Sequence, residues 1–512
     1  MIMVRRRPLL LAVFLTVLFG ILFTGRYGVK EGSQLKPHIE KVEHFLRPAG
    51  PKAPCEEHLG WLEPYSFSYP INYVSRDIIA VPDPESQRPP LTVINEPLLA
   101  DFSTVDLSQS QTLRNSKCLP PLSLNVSRVA VPPQDASNMI FGMQTTMGRL
   151  KSTVKHLARW LPNTNARLFA IVIENEETPA DDAAMKALEK EFLDQGMNVT
   201  VMHPVSPTDN FPQRYFSLVS VMYQARTEKT DWVVCIDDDT FFPSMYDLVA
   251  MLKDHDPKKQ QYIGSLSEDW WAVNHYGLMG FGGAGILLST PLAKVVDEFT
   301  PWCKSHLRTS AGDISVMDCV YDHSTTKLTH IAGLHQVDMH GDLSGFYESG
   351  REMLSLHHWK EGSAAGYKLE MEKMHLVANI CDNCFLQRWQ FKNEFILSNG
   401  FSIAQYPQGQ ISGKKPGGVL GTGVGGSVDK IDLQAMEHTW GDDINVLHSL
   451  HPVRDKLPDD VKIGYKLLDS VLVDSDAEGQ KVKDVVRQVY FKEGGEGVKD
   501  TVMVLNWHAG SA

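Results

Sequence analysis

The sequence predicts an α/β domain with a largely parallel sheet, preceded by an amino-terminal membrane helix and followed by a smaller β-rich region. Three observations support this prediction. Strand-like and helical stretches alternate within residues 136–378, residues 8–25 carry no charge, and short strand-like segments dominate residues 379–512. A chain of 512 residues also exceeds what one hydrophobic core usually organises, so we expect two or more folded units.

The amino terminus has the pattern of a signal anchor. Arg5, Arg6 and Arg7 precede the uncharged run at residues 8–25, which is near the lower limit of about 17–25 residues for a spanning helix. The arginines favour a cytosolic tail at residues 1–7 and place the rest of a single-pass type II protein in the lumen. A cleaved signal peptide is the alternative, although no Ala-x-Ala-like site follows the run.

Residues 26–135 are rich in proline and polar side chains and have little periodicity, which predicts a stem with short ordered pieces. Cys55 and Cys118 are candidates for a disulfide within it, whereas Cys235 lies in an apolar run and is the candidate for a buried free thiol. Sequons at Asn125 and Asn198 are consistent with a lumenal glycoprotein.

Each element of the α/β domain, expected at residues 136–378, has its own signal. Apolar runs predict strands at 139–143, 168–173, 199–202 and 232–236. Helical spacing predicts a helix that ends near residue 160 and others at 181–195 and 216–226. Ligands of such sheets bind beyond the carboxyl ends of the strands, and the fourth strand ends directly on Asp237.

The carboxyl-terminal residues 379–512 are predicted to form a β-rich accessory region. Strand-like segments at 394–397, 462–468 and 501–507 are separated by Gly, Asp and Pro turns. The net charge of −13 argues against a nucleic-acid partner, which requires a basic face. It does not exclude a local basic pocket for a diphosphate.

Asp237, Asp238 and Asp239 are the strongest candidates for chemistry, because they follow a fully apolar strand. Adjacent carboxylates repel one another unless a cation or hydrogen-bond donors offset their charge. Mn²⁺ and Mg²⁺ prefer oxygen ligands and bridge diphosphates, so the triplet predicts a divalent metal site, with a solvated acidic turn as the alternative. One imidazole of His357 or His358 can complete the metal shell, although such pairs are more often structural.

A glycine-rich loop that contains Gly282, Gly283, Ala284 and Gly285 precedes another apolar strand. Glycine allows close approach of the backbone to a ligand, so these residues are candidates for substrate contacts, with a loop of tight turns as the alternative. Asp313 stands ahead of an apolar helical run, where it can cap the helix, act as a general base, or do both.

Glu268, Trp270 and Trp271 lie between a predicted strand and the glycine-rich loop. Aromatic faces often stack on sugars and a carboxylate accepts hydrogen bonds from hydroxyl groups, so these residues are candidates for carbohydrate binding. Tryptophans that fill a core are the alternative.

Two other motifs do not indicate chemistry. The Gly-x-Gly-x-x-Gly pattern at residues 421–426 follows no apolar strand, so it does not support a dinucleotide site. Cys381 and Cys384 form a lone Cys-x-x-Cys pair, which predicts a disulfide rather than zinc or redox chemistry.

Taken in order, these pieces resemble the Fringe-like members of glycosyltransferase family 31, in the fungal and plant branch that carries a domain of unknown function. The resemblance covers residues 138–360, about the size of one domain. It rests on Thr145-Thr146 at a strand end, the Asp triplet after Cys235, Gly-Gly-Ala-Gly from Gly282, Asp313-Ile-Ser-Val, and His357-His358.

This resemblance implies a GT-A fold, which is Rossmann-like, and an inverting transfer. A hexose or N-acetylhexosamine would move from a UDP-sugar to a hydroxyl of a glycan or glycoprotein, typically forming a β-1,3 linkage. It also implies a location in the Golgi (or ER) membrane, with the catalytic domain in the lumen.

The resemblance further implies roles for individual residues. Asp239 would bind Mn²⁺ (or Mg²⁺) together with His357 or His358, Asp237 and Asp238 would contact the nucleotide and help order the metal, and Asp313 would be the base. Many relatives have two acidic residues where this chain has Gly312 and Asp313. The residues assigned to the nucleotide sugar are Thr145, Thr146, Arg149, Asp237 and Asp238.

The residues alone leave two other functions open. A metal-dependent hydrolase of phosphate esters also uses clustered carboxylates, often around two metals, but needs more ligands than this sequence places. A lumenal carbohydrate-binding or scaffold protein without turnover is the second alternative, and Gly312 is the feature that favours it.

Overall fold

The computed structural model describes residues 55–510, with gaps at 86–87, 116–117, 130, 174–180, 361–362, 365–366, 408, 410, 412–430, 442–449 and 478–479. The predicted tail and membrane anchor, the first part of the predicted stem and the pattern at 421–426 lie outside the described residues. Within the described part, no helix has the length and apolar character that a bilayer span requires.

Regular strands occupy much of the segment predicted to be a stem. They are β1 (Cys55–His58), β2 (Ile71–Pro82), β3 (Thr92–Ile94), β4 (Ser103–Val105), β5 (Thr112–Asn115) and β6 (Leu122–Val126), with a 3-10 turn at Gly60–Tyr65.

Strands and helices then alternate as predicted. In chain order they are β7 (Met139–Thr146), α1 (Met147–Leu157), β8 (Arg167–Ile173), α2 (Asp182–Asp194), β9 (Asn198–Met202), α3 (Phe211–Gln224), β10 (Trp232–Cys235), α4 (Met245–Leu252), β11 (Tyr262–Gly264), α5 (Trp270–Tyr276), β12 (Ile286–Ser289), α6 (Thr290–Ser305), α7 (Gly312–His323), β13 (Leu328–His330) and α8 (Ser344–Tyr347). Helix α3 begins earlier than predicted because Asn210 and Gln213 form a capping box at its start.

These strands form one mixed sheet with the order β13-β11-β12-β10-β7-β8-β9. Strands β10, β7, β8 and β9 run parallel to one another, as do β11 and β13, whereas β12 is antiparallel to β10 and β11. The α/β prediction with a largely parallel sheet is therefore confirmed, with β12 as its antiparallel member.

The central strand β10 is buried on both faces. Trp232 and Val234 pack into one apolar cluster and Val233 and Cys235 into another, because successive side chains of a strand point to opposite faces. Cys235 is a buried free thiol, as predicted. Asp237 follows directly, where the strand leaves the sheet.

The carboxyl-terminal part is rich in strands, as expected, but β21 is much longer than the segment predicted at 462–468 and β22 was not predicted. Its elements are β14 (Ser363–Ala364), β15 (Tyr367–Lys368), α9 (Met371–Met374), a 3-10 turn (His375–Asn379), β16 (Arg388–Phe391), β17 (Phe395–Ser398), β18 (Ser402–Gln405), β19 (Met436–His438), β20 (Val453–Asp455), β21 (Ile463–Ala477), β22 (Gln480–Lys492) and β23 (Thr501–Ala509).

Strands β2, β3, β4 and β6, which lie in the segment predicted to be a stem, belong instead to a second sheet with the carboxyl-terminal strands. Strand β2 runs parallel to β23 from Asn72 opposite Thr501 to Ala80 opposite Ala509. The strand order of this sheet is β3-β16-β17-β18-β21-β22-β23-β2-β4, and β6 also pairs with β2. From Glu56 onward the chain forms one compact unit that includes both sheets.

Strand β2 contains a buried arginine, a residue type that is rarely found inside a protein. The side chain of Arg76 interrupts the apolar alternation, yet it is only 4% exposed. Its guanidinium donates hydrogen bonds to the backbone carbonyls of Pro97, Leu98 and Pro120. These acceptors satisfy a buried charge that would otherwise be costly.

Disulfides fix several of the described segments. Cys303 and Cys319 join α6 to α7, and Cys381 and Cys384 form the disulfide that their spacing predicted. Cys118 is also disulfide-bonded, whereas the side chain of Cys55 lies outside the described part.

Candidate functional site

A cleft of about 340 Å³ opens where β7 and β10 leave the sheet at their carboxyl ends. In a parallel arrangement these ends meet at one edge, which brings loops that are distant in sequence together. The residues that line the cleft are Gln144, Thr145, Thr146, Arg149, Ile173, Phe211, Arg214, Asp237, Asp238, Asp239, His357 and His358.

Three of the predicted metal ligands face one another in this cleft. The Nε2 atom of His357 lies 3.2 Å from Oδ2 of Asp237 and 3.1 Å from Oδ1 of Asp239. The Nδ1 atom of His357 lies 3.2 Å from the backbone carbonyl oxygen of Gln336. A carbonyl acceptor on Nδ1 is the arrangement that turns the other ring nitrogen toward a metal.

These donors fit a divalent cation in chemistry, although they do not form a preassembled cage. Two carboxylates and one imidazole nitrogen are ligands that Mn²⁺ accepts. Distances of 3.1 and 3.2 Å are those of an ion pair, and metal–ligand bonds of about 2.1 Å require the side chains to adjust. Accordingly, no described group of three or more such side chains has a ready metal-binding geometry.

The charges of this cluster stabilise one another. Burial opposes protonation of His357, but its contacts with Asp237 and Asp239 raise its pKa to about 10. Burial also works against ionisation of Asp239, yet contact with His357 and the nearby charge of Lys360 lower its pKa to about 2. A cation that takes the place of the imidazolium proton would therefore release that proton on binding.

His358 has different partners from His357. Its Nδ1 atom lies 3.1 Å from Oδ1 of Asp338, and Oδ2 of Asp338 accepts a 2.5 Å hydrogen bond from Ser267 Oγ. The backbone φ of His358 is +49°, a left-handed conformation that is uncommon outside glycine. Between the two histidines, the geometry favours His357 as the metal ligand.

Asp238 anchors the opposite wall of the cleft. Its carboxylate accepts hydrogen bonds from Thr145 Oγ1 at 2.5 Å and from the Nε and Nη2 atoms of Arg149 at 2.6 and 2.5 Å. Lys360 donates to the backbone carbonyl of Asp238 at 3.2 Å. Thr146 caps α1, because its side chain accepts from the backbone N–H of Arg149. Four of the five predicted nucleotide-sugar residues, Thr145, Thr146, Arg149 and Asp238, thus contact one another along one wall.

Asp313 lies in the first turn of α7 but does not cap that helix, since the N-cap residue is Ala311. Its Oδ1 atom accepts from Ile314 N at 2.9 Å and its Oδ2 atom from Gly282 N at 3.3 Å. Burial raises the pKa of Asp313 to about 6, and the charge of Asp237 adds to this shift. A carboxylate with this pKa suits a general base.

The glycine-rich loop connects Asp313 with the metal cluster. A Cβ atom on Gly283 would lie 2.2 Å from the His357 ring, and one on Gly282 would lie 2.4 Å from the Tyr215 hydroxyl. Gly282, which donates to Asp313, and Gly283, which packs on His357, are consecutive residues. Consecutive Cα atoms are about 3.8 Å apart, so the loop holds Asp313 close to His357. Ala284 N donates to the Gln336 side chain at 2.9 Å, and Gly285 has a φ of +103°. The four residues of this loop that were predicted to contact substrate, Gly282, Gly283, Ala284 and Gly285, are not among the residues that line the cleft.

Tyr215 is a site residue that the sequence analysis missed. Its ring fills the space beside Gly312, where a Cβ atom would lie 2.3 Å from the ring. The side chain is 2% exposed, and its hydroxyl has no hydrogen-bond partner among the described residues. The absence of an acidic side chain at Gly312 therefore has a steric cause. No local signal in the sequence links residues 215 and 312.

The residues predicted to bind carbohydrate have contrasting environments. Glu268 is buried, and its carboxylate accepts from Val337 N at 2.6 Å and contacts His335 Nδ1 at 3.0 Å. Trp270 and Trp271 are 51% and 55% exposed at the start of α5. The tryptophans do not fill a core, whereas the oxygens of Glu268 are already engaged inside the protein.

Several residues that line the cleft, or that contact its lining, had a weak signal in the sequence or none. Lys360 follows the two histidines closely in the sequence, so it was within reach of sequence reasoning. Phe211 and Arg214 reach the cleft from the start of α3, and Gln336 contacts His357 from a loop through its backbone carbonyl. Their placement depends on how α3 and that loop pack, which the local pattern does not encode.

Residues 272–381 match a family model described as a protein of unknown function, DUF604. The matched segment includes the glycine-rich loop, Asp313 and both histidines, and it covers less than a quarter of the chain. The domain of unknown function implied by the resemblance is thus found in this part of the sequence. No curated protein is significantly similar to the chain.

Parts of the chain are similar to several solved structures. One is a mannosyltransferase from Pyrobaculum calidifontis in complex with GDP-Man and Mn²⁺, at 11% identity and a TM-score of 0.27, covering 40% of this chain and 58% of that one. Another is mouse xyloside xylosyltransferase 1, at 12% identity and a TM-score of 0.26, covering 39% of this chain and 85% of that one. The match therefore spans less than two thirds of the mannosyltransferase.

A third similar structure is a glycosyltransferase involved in the glycosylation of the major capsid of PBCV-1. It has 10% identity and a TM-score of 0.26, and the match covers 44% of this chain and 96% of that one. TM-scores this low do not establish a common fold, so these three similarities carry no argument about activity.

Proposed function

We propose that this chain is an inverting, metal-dependent glycosyltransferase of the Fringe-like type that it resembles. It would transfer a hexose or N-acetylhexosamine from a UDP-sugar to a hydroxyl group of a glycan or glycoprotein. One observation carries the proposal. At the edge of the sheet, Asp237 and Asp239 face His357. The glycine-rich loop lies against both groups, because Gly283 packs on the His357 ring and the N–H of Gly282 donates to Asp313.

The cleft has the groups that a nucleotide diphosphate requires. Arg149 and Arg214 contribute positive charge to its walls, and Phe211, 46% exposed, offers an aromatic face to a base. Mn²⁺ or Mg²⁺ held by Asp237, Asp239 and His357 would stabilise the charge that develops on the departing diphosphate.

Asp313 is the proposed base. Inverting transfer requires a carboxylate that takes the proton of the acceptor hydroxyl as its oxygen attacks the anomeric carbon. The Asp313 carboxylate is held by two backbone N–H groups, which fix its orientation while burial keeps its pKa close to the operating pH.

The acceptor is proposed to bind across Trp270 and Trp271. A chain of contacts links the start of α5 to the cleft: Asp269 N donates to Ser267 Oγ at 3.0 Å, Ser267 donates to Asp338, and Asp338 contacts His358. Exposed tryptophans beside a sugar-transfer site offer flat apolar surfaces for a glycan.

A lumenal location in the Golgi or ER, with an anchor at residues 8–25, is part of the proposal. It is supported by the disulfides Cys303–Cys319 and Cys381–Cys384, which persist in oxidising compartments. Asn125 and Asn198 of the two sequons are exposed, as glycosylation requires.

The test is donor binding and transfer by the purified full-length chain with a panel of UDP-sugars, with and without Mn²⁺. We expect Mn²⁺-dependent turnover of one donor, with a loss of at least about 100-fold in Asp239→Ala and Asp313→Ala. Asp239→Ala should also lose Mn²⁺-dependent UDP binding, whereas Asp313→Ala should keep it.

A matched control is Asp194→Ala, which removes a surface carboxylate that pairs with Lys190 of its own helix. It should leave donor binding and turnover unchanged. Metal-independent UDP binding would contradict the assigned metal site. Donor binding without transfer to any acceptor would favour a carbohydrate-binding or scaffold protein, and release of phosphate from simple esters would favour a hydrolase.

A further inference from the structure

Glu268 is a buried carboxylate to which the proposed reaction assigns no step. It follows β11 closely in the chain and is 3% exposed. Its Oε2 atom accepts hydrogen bonds from the backbone N–H groups of Val337 and Asp338 at 2.6 and 3.4 Å, and its Oε1 atom lies 3.0 Å from Nδ1 of His335. These partners belong to residues 335–338, which we call the clamped loop. A single side chain thus contacts three of the four residues of this loop.

The clamped loop has a strained backbone. Val337 has a φ of +60°, and a left-handed conformation is a genuine outlier for a β-branched residue. Such conformations persist only where the surrounding structure holds them, and they are concentrated at functional sites. The shortest hydrogen bond of Glu268 reaches the N–H group of this strained residue, and a carboxylate acceptor makes that bond stronger than a neutral one would. Glu268 is therefore the group that holds the strained residue in place.

The clamped loop in turn orients the metal cluster. Gln336, inside the loop, accepts from Nδ1 of His357 through its backbone carbonyl at 3.2 Å, and its side-chain Oε1 accepts from Ala284 N at 2.9 Å. The Nε2 atom of the same imidazole faces Asp237 and Asp239. A carbonyl on one ring nitrogen fixes the orientation of a metal-binding histidine. Movement of Gln336 would therefore turn the imidazole away from the two carboxylates.

A second tie joins the same two segments. Ser267, which is fully buried, donates to Oδ2 of Asp338 at 2.5 Å, and Oδ1 of Asp338 lies 3.1 Å from Nδ1 of His358. Because Ser267 and Glu268 are adjacent, the segment after β11 holds the clamped loop through two consecutive side chains. Each of the two cleft histidines contacts a residue of this loop.

We propose that Glu268 is a positioning residue for the metal site. By holding the clamped loop, it keeps the carbonyl of Gln336 against His357 and so aims the other ring nitrogen at the cation. The inference rests on the proposed function, because it takes His357 as a ligand of Mn²⁺ or Mg²⁺. Glu268 acts through Gln336 and contacts neither the cation nor the substrate, so a substitution there should lower metal affinity without removing a ligand.

The test compares two substitutions that separate reach from charge. Glu268→Asp keeps the carboxylate but shortens the side chain by a methylene group, so that it no longer reaches Val337 N. Glu268→Gln keeps the length and retains one oxygen for that N–H group. Mn²⁺ is titrated into the purified full-length chain in the presence of UDP, and free Mn²⁺ is followed by its EPR signal. We expect Kd for Mn²⁺ to rise about 10–100-fold in Glu268→Asp and to stay close to the parent value in Glu268→Gln.

Glu189→Asp is the matched control. The Glu189 carboxylate also accepts a hydrogen bond from a backbone N–H group, that of Val201 at 2.8 Å, but it does not line the cleft. The same shortening at this position should leave Mn²⁺ binding unchanged.

A second readout needs no metal. In the metal-free chain with isotope-labelled histidine, the Nδ1–H resonance of His357, assigned with His357→Gln, should shift in Glu268→Asp. It should stay in place in Glu268→Gln and in Glu189→Asp. A role in stability alone would not move this resonance in a chain that remains folded. If Glu268→Asp does not fold, Ser267→Ala loosens the same loop through Asp338, and it should shift the resonance and raise Kd for Mn²⁺.

Three results would overturn the proposal. One is parent-like Mn²⁺ binding with an unmoved His357 resonance in a folded Glu268→Asp chain. Another is an equal loss of Mn²⁺ affinity in Glu268→Gln, because the side chain would then act through its charge, and the third is an equal loss in Glu189→Asp. A parent chain that binds no Mn²⁺ would instead overturn the proposed metal site, and with it this role of Glu268, even if the resonance still responded to Glu268→Asp.

Discussion

At the scale of single residues, two carboxylates of one site have pKa values shifted in opposite directions. Asp239 faces His357 and Lys360, and these positive groups keep it ionised despite its burial. Asp313 is buried with backbone N–H donors but no cation, so its pKa rises instead. Environments that separate the pKa values of two acids commonly divide their roles, which agrees with the proposal that Asp239 binds the metal and Asp313 acts as the base.

The first prediction concerns the pH dependence of transfer. Because Asp313 must be ionised to take a proton, kcat/KM should fall about tenfold for each pH unit below a pKa of about 6. It should be level above about pH 7. A pH profile between 5 and 8, with metal binding monitored separately, measures this. A profile that stays flat down to pH 5 would exclude Asp313 as the base.

The second prediction concerns stability at the same residue. The folded-state pKa of Asp313 lies above its ordinary value of 3.8, so its contribution to folding is lost as the pH rises from about 4 to about 6. At pH 7, Asp313→Asn should therefore be as stable as the parent chain or more stable by about 1 kcal/mol, although it is inactive. Urea unfolding at pH 7 and at pH 4 checks the sign, since the gain should vanish at the lower pH.

The third prediction tests the contact between Tyr215 and Gly312. Gly312→Ala places a methyl group 2.3 Å from the Tyr215 ring, so it should cost about 1–3 kcal/mol. In a Tyr215→Ala background, the same substitution should cost almost nothing because the ring is gone. Urea unfolding of the four proteins gives the coupling energy, and equal costs in both backgrounds would refute the contact.

Residue by residue, the sequence predicted those parts of the site that follow a local rule. Asp237–Asp239 could be identified because an apolar strand stops at them, and Asp313 because it precedes an apolar helix. Tyr215 and Gln336 could not, since each meets the site through packing between elements that are far apart in sequence. The choice between His357 and His358 also required geometry, because the two are adjacent in the chain.

At the scale of elements, helix α5 presents its first turn to solvent. Trp270 and Trp271 are more than half exposed, whereas Ala272 of the same helix is buried. An element that buries so little of its largest side chains gains little stability from them. Folding therefore does not account for their exposure, which agrees with the proposed acceptor surface.

The fourth prediction follows from this placement. Substituting both Trp270 and Trp271 with alanine should raise KM for the acceptor at least tenfold, while UDP binding and the melting temperature stay unchanged. Trp302→Ala is the control, because Trp302 is 40% exposed on α6. A double variant that keeps its acceptor KM, or that loses UDP binding as well, would contradict the proposed acceptor surface.

Strands β7, β8, β9 and β10 of the first sheet were predictable because each has a regular apolar run, and they run parallel to one another, as β-α-β connections favour. Strand β2 was not, although it has twelve residues. Its polar residues Asn72, Ser75, Arg76 and Asp77 interrupt the alternation, and its partner β23 begins at Thr501. Pairing over such a separation depends on tertiary packing rather than on local propensity.

At the scale of the whole molecule, the second sheet joins the two ends of the described chain. Strand β23 lies between β22 and β2 and pairs with both. The side chains that it contributes to the interior are fully buried, at Val502, Met503, Val504, Leu505 and Trp507. Each contributes about 1.5–3 kcal/mol by burial, which together rivals the net stability of a typical domain.

The fifth prediction is that a chain ending at residue 500 does not fold. Removing β23 leaves β2 and β22 without a shared neighbour and exposes the core that it covers. Limited proteolysis and soluble yield measure the effect, and a chain ending at residue 510 is the control. Cooperative unfolding of the shorter chain, with protease resistance like that of the control, would refute this role of β23.

The parallel pairing of β2 with β23 also determines when the second sheet can be completed during biosynthesis. Strand β2 is complete once residue 82 has been made, but its partner is complete only at residue 509. At about 5–20 residues per second, ribosomes need roughly 20–90 s to cover that interval. During this time β2 is an open strand edge that can pair with other chains. Strands β4 and β6 pair with the other edge of β2, so we expect nascent molecules to need chaperones at the edge that β23 covers last.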